Sequence, residues 1–175
     1  GLFHQPVDEM EELELCAKSG YRPGVNCDSI KKVWLPAGSA IGLCPFHHRI
    51  HLNEQGTHRV NATCYPVAEM THKNWFVLTP AMEYYYKPRN PVYATLPPLL
   101  PGCTDEMENM EFIYPREWNN LFLPTDLDGT PGQLIFELVH RQRRAKVFWQ
   151  IDNQYLGETT GIHQMAVRPE PGWHT

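Results

Sequence analysis

The chain has 175 residues, 42% apolar and 20% charged, with a formal net charge of −5. That composition belongs to a globular protein of one ordinary domain or two small ones and excludes an intrinsically disordered chain. Acidic and basic residues are spread evenly and neither half is basic, so no nucleic-acid partner is expected.

Residues 7–16, VDEMEELELC, alternate loosely and read as a strand or a helical turn. Residues 19–27, SGYRPGVNC, are turn chemistry. KVWL at 32–35 predicts a short strand stopped by Pro36. Residues 46–52, FHHRIHL, followed by NEQG and THRVNATC, predict a β-hairpin whose loop runs from Asn53 to Gly56. Residues 75–78 read as strand, and 80–86 as a short helix with Pro80 at its first position. Residues 88–101 hold five prolines and are expected to be extended. The acidic stretch after Cys103 marks a domain boundary near residue 108. Beyond it, EFIYP, NLFLPT, QLIFELVH, KVFWQID, YLGET and HQMAVRP alternate with turns such as PREWNN, DLDGTPG and DNQ. Short strands at that spacing argue a small antiparallel sandwich of immunoglobulin type.

The expected fold is therefore mainly β: an irregular, cysteine-rich β connector over 1–108, then an immunoglobulin-like β-sandwich over 109–175 with Trp149 in its core. The second part is short for a sandwich and stops at PGWHT, where a last strand is expected to begin. No apolar run approaches the ~20 residues that cross a bilayer, and no signal-peptide pattern is present. Gly1 opens the chain without a Met, so a piece of a longer protein is expected.

Four of five cysteines fall inside residues 16–64. Cys16, Cys27, Cys44 and Cys64 are disulfide candidates, the leading pairing being Cys16–Cys27 with Cys44–Cys64. The rival reading is structural zinc on Cys16, Cys27, Cys44 and His47, drawn from the C-x-x-H spacing of Cys44 and His47. In that case Cys103 is left to pair with Cys64. Buried, unlinked thiols are the third possibility. His47 and His51 share a face in a helix or a strand, but His48 stands where a metalloprotease motif needs Glu.

No catalytic set is complete. The three serines are Ser19, Ser29 and Ser39. Ser29-x-x-Lys32 and Lys18-Ser19-Gly20 formally match penicillin-recognising serine enzymes, but in reversed order and without an S-x-N. There is no G-x-S-x-G, P-loop or dinucleotide fingerprint. Trp75, Tyr84 and Tyr85 read either as a sugar-stacking surface or as residues that seal a core. Arg141, Arg143 and Arg144 read either as an anion-binding patch or as a solvated hairpin turn between strands 133–139 and 146–151.

The blocks LCAKSGYRPGVNC, CPFHHRIHLNEQG, HKNWFVLTPAMEYYYK and KVFWQIDNQYLGETTGIHQM, with PGWHT at the end, resemble the C-terminal region of the penicillin-binding protein 1C family. These are bifunctional peptidoglycan synthases of the bacterial periplasm, anchored in the inner membrane. The resemblance implies that the glycosyltransferase and transpeptidase motifs lie upstream of this chain. The absence of catalytic motifs beside well-patterned strands then points to a non-catalytic accessory module that docks on the transpeptidase domain of the same protein or on a periplasmic envelope partner, with no cofactor unless the zinc reading holds; the aromatic cluster and the cationic turn give peptidoglycan binding as the alternative. A periplasmic location favours disulfides.

Overall fold

The computed structural model describes residues 9–104, 107–117, 119–125, 127, 129 and 132–175. The fold is mainly β, built from small antiparallel sheets. Contacts divide the chain into two units: Gly1–Val77 with Ala94–Asp105, and Leu78–Tyr93 with Glu106–Thr175. The chain crosses between the units three times, after Val77, Tyr93 and Asp105. The stretch 78–93 belongs to the second unit because its polar side chains are satisfied there, as described below.

In the first unit β1 (Met10–Cys16) pairs antiparallel with β2 (Ile30–Pro36), from Met10↔Pro36 to Cys16↔Ile30. β3 (His47–Leu52) pairs antiparallel with β4 (Thr71–Phe76). This corrects the expected hairpin, in which 57–64 was the partner of β3. The tight loop does form: the Asn53 side-chain oxygen accepts from the Thr57 and His58 amides, and the Asn53 amide donates to His58 O. Past that loop the chain meets β3 at the Leu52–Arg59 bridge, where the Val60 amide donates to His51 O. Arg59 instead pairs with the proline-rich segment, its amide donating to Pro98 O and its carbonyl accepting from Leu100 N. Prolines lack an amide to donate but keep a carbonyl, so this segment serves mainly as acceptor. Within 88–101 the extended form holds from about residue 94; Lys87–Arg89 form a single 3-10 turn.

β3 uses its two faces differently. Ile50 and Leu52 are buried on one face with Val60 and Val77 also in the core, while His47 is buried on the other. A disulfide joins Cys64 to Cys103 within the same unit.

The second unit opens with α1 (Pro80–Tyr86), where Thr79 caps the Met82 amide and Pro80 sits at the first helical position. β5 (Met110–Tyr114), β6 (Leu134–His140) and β9 (His163–Val167) form one antiparallel sheet in the order β5-β6-β9. β7 (Lys146–Ile151) and β8 (Gln154–Thr160) form another. Their two-residue turn places Asp152 at φ 50°, the left-handed region such hairpins require. The sheets pack through Leu138, Val147 and Trp149, joined by Phe136, Leu156 and Met165. Trp149 is 4% exposed, and its indole N–H donates to Thr159 Oγ1. NLFLPT, expected as a strand, is irregular over residues 121–124. The expected turns PREWNN and DLDGTPG fall partly outside the described residues.

β6 and β7 lie in different sheets, so the basic segment between them crosses between layers and is not a hairpin turn. Arg141 is correspondingly withdrawn from the surface. It ion-pairs with Glu83 of α1 and donates to Leu78 O and Glu108 O. Tyr93 also donates to Glu83. These contacts tie 78–93 to the strands and remove Arg141 from the candidate interaction surface; Arg143 and Arg144 stay exposed. No helix among the described residues is long and apolar enough to cross a membrane.

Candidate metal centre

Four sequence-separated residues of the first unit meet at one point. Cys16 ends β1, Cys27 lies in the loop before β2, Cys44 precedes β3, and His47 is its first residue. Three local devices position them. The Cys16 loop reverses at Gly20, whose amide donates to Cys16 O and whose φ of 76° suits glycine. The Cys27 amide donates to Gly24 O, closing a second tight turn. Arg22 then bridges to Leu43, with Cys44 N donating to Arg22 O, which brings the two loops side by side.

The ligand atoms of Cys16, Cys27, Cys44 and His47 all lie within 4.8 Å of one another. His47 Nδ1 is 3.6 Å from Cys16 Sγ, 3.5 Å from Cys27 Sγ and 3.4 Å from Cys44 Sγ. A neutral imidazole nitrogen has one lone pair and accepts one hydrogen bond, so it cannot satisfy three thiols. Tetrahedral zinc with bonds of about 2.3 Å to sulfur and about 2.0 Å to nitrogen has S···N edges of about 3.5 Å. The three observed S···N distances match those edges.

Hydrogen-bond donors reach the sulfurs. Ser19 Oγ donates to Cys44 Sγ, and the Gly24 amide donates to Cys27 Sγ. Burial opposes the Cys16 thiolate, but hydrogen bonds from the Ser19 hydroxyl, from the Ser19 and Lys18 backbone and from Cys27 outweigh it and hold its pKa below the usual thiol value. Its neighbour Cys27 is pushed up to about 11, chiefly by burial. Burial also lowers His47, overriding the pull of Asp28, so the imidazole is neutral and able to ligate.

His47 Nε2 is buried and makes no hydrogen bond, although Asp28 Oδ1 stands 3.4 Å away, within ion-pair range. Alignment, not distance, is what fails: Asp28 is turned toward Lys18, 3.0 Å from its carboxylate. The Asp28 side chain is about half exposed, with room to reorient toward Nε2. With Nδ1 toward the sulfurs, Nε2 would carry the proton, and Asp28 stands where an outer carboxylate would orient a histidine on a metal.

The structure settles the cysteine pairing differently from the leading expectation. Cys16, Cys27 and Cys44 are free, and neither Cys16–Cys27 nor Cys44–Cys64 exists. Cys64 pairs with Cys103. His51, which shares the His47 face of β3, contacts His72 across the strands and stands outside the cluster. Asp28 is the residue sequence reasoning missed; a carboxylate one position after Cys27 was the available signal.

The remaining candidates are dispersed. Trp75 belongs to the first unit, with its indole N–H bonded to Ala94 O and Lys73 over its ring. Tyr84 and Tyr85 belong to the second unit and are 57% and 51% exposed. Ser29 lies in the loop before β2, and Lys32 on that strand pairs with Glu12, 3.1 Å away.

Fold and site together describe a mainly β protein of two small units, one carrying a cysteine–histidine cluster. Residues 101–175 match the model of the Penicillin-Binding Protein C-terminus Family. The match covers the strands β5 to β9, and over those residues the chain is similar to the C-terminus of penicillin-binding proteins. The cluster at 16–47 lies outside the matched residues. No curated protein and no solved structure matches the chain.

Proposed function

We propose that the chain is a non-catalytic accessory module of a periplasmic peptidoglycan synthase, whose first unit is held together by structural zinc on Cys16, Cys27, Cys44 and His47. The observation that carries the metal reading is the convergence of three sulfurs on one imidazole nitrogen at 3.4–3.6 Å. Three thiolates and an imidazole are a soft donor set suited to zinc, and four protein ligands leave no open position for a reactive water. The ion's work is therefore mechanical. It links β1–β2 to β3–β4, and isolated two-stranded hairpins are marginal in water.

The accessory role rests on the family match over 101–175. In this reading the module docks on the transpeptidase domain of its own chain or on an envelope partner. Direct glycan binding is less well supported, because Trp75 and Arg141, two of its candidate residues, are engaged in internal contacts.

Elemental analysis of the purified chain is expected to find one zinc per molecule, with three cysteines alkylated only after chelation. A metal-free native protein, or a disulfide among Cys16, Cys27 and Cys44, rejects the zinc reading. Incubation with labelled penicillin is expected to leave the chain unmodified; a covalent adduct rejects the accessory reading.

A further inference from the structure

One chain holds a formed disulfide, Cys64–Cys103, and three reduced cysteines whose sulfurs lie within 4.8 Å of the same imidazole nitrogen. Chain entropy favours a different outcome. Cys16 and Cys27 are 11 positions apart, against 39 for Cys64 and Cys103. Loop closure falls off as about the three-halves power of length, so the unfolded chain closes Cys16–Cys27 about sevenfold more readily. Nor does the folded arrangement protect the thiols by distance. The three sulfurs already lie within 4.8 Å of one another. Closing any such pair would strand the third cysteine.

We infer that metal loading precedes oxidation and selects the disulfide: zinc withdraws Cys16, Cys27 and Cys44 from thiol–disulfide exchange, leaving Cys64 and Cys103 as the one pair open to a disulfide oxidant. This rests on the zinc reading above. The chemistry is balanced with a small disulfide such as oxidised glutathione as co-reactant. A Cys64 or Cys103 thiolate attacks the glutathione disulfide, releasing one glutathione thiolate and leaving a mixed disulfide. The second protein thiolate attacks the protein sulfur of that bond, closes Cys64–Cys103 and releases the second glutathione. Two protein thiols are oxidised, one glutathione disulfide is reduced to two thiols, and the two protein protons pass to them. A sulfur whose lone pair is bound to zinc, with Cys16 fully buried and Cys44 9% exposed, is a poor attacker in either step.

The test is oxidative refolding of the reduced 175-residue chain in a glutathione buffer, with zinc sulfate or with EDTA, and peptide mapping of the first bonds formed. With zinc, Cys64–Cys103 is expected to predominate and three thiols to survive. With EDTA, Cys16–Cys27 is expected to exceed Cys64–Cys103 by about sevenfold. Equal yields of Cys64–Cys103 in both arms overturn the inference. A Cys16→Ser/Cys27→Ser/Cys44→Ser variant separates thiol protection from folding. It is expected to close Cys64–Cys103 equally with and without zinc, and a yield that still depends on zinc overturns the inference. Metal in the native protein together with an indifferent disulfide map would reject this inference alone, whereas a metal-free native protein rejects the zinc reading itself.

Discussion

His47 offers Nδ1 to the sulfurs and so aims Nε2 at Asp28, which makes Asp28 the residue to change. Asp28→Asn keeps the shape but weakens acceptance of the Nε2 proton. Loss of such an outer carboxylate lowers metal affinity by about 10- to 100-fold. Competition against a zinc chelator measures this, and an unchanged affinity would show that Asp28 serves only Lys18. Arg141 calls for the opposite kind of argument. Its side chain and that of Glu83 are each 10% exposed. Arg141→Ala strands a buried carboxylate and is expected to cost about 3–5 kcal/mol of stability. Arg143→Ala, on the exposed part of the same segment, is expected to stay within about 0.5 kcal/mol. Urea unfolding of the two variants compares them; similar midpoints would reduce the Glu83–Arg141 pair to an incidental contact. Nothing in the basic run itself separates Arg141 from Arg143, because what distinguishes them is a glutamate 58 positions away in the chain.

Strands were the most legible part of the sequence where alternation is strict. KVFWQI on β7 buries Val147 and Trp149 and exposes Phe148, as the period of two demands. Trp149→Ala is expected to cost about 3–5 kcal/mol and Phe148→Ala far less. Thermal melts of the two variants test the assignment, and a larger loss at Phe148 would invert the two faces of the sheet. The helix at 80–86 was legible for an equally local reason, since Thr79 and Pro80 are start signals in adjacent positions. Strand partners were less legible. β3 is followed by a good turn, yet it pairs with β4 beyond it, because Arg59 joins the proline-rich segment from across the sequence.

The two units have separate cores, with Leu138, Val147 and Trp149 in one and Ile50, Leu52 and Val77 in the other. Chelation under reducing conditions should therefore act unevenly. Hydrogen exchange is expected to show the amides of Ile50, Leu52 and Val77 losing protection while those of Leu138, Val147 and Trp149 keep theirs. Uniform loss across both sets would show that the metal supports the sandwich as well. Acid should mimic the chelator in the first unit, because protons compete with zinc for three thiolates and an imidazole, and affinity falls as pH falls.

Local chemistry in the sequence was enough to establish a mainly β chain, its capped helix and the core around Trp149. It also set out the alternatives for the cysteines, with disulfides leading, and the C-x-x-H spacing placed Cys44 close to His47. The choice came from long-range packing. Spacing along a chain constrains neighbours a few residues apart, whereas Cys16 and Cys27 reach His47 because the Arg22–Leu43 bridge lays one loop against another. The withdrawal of Arg141 and the pairing of Cys64 with Cys103 have the same origin, each requiring segments distant in sequence to be adjacent in space.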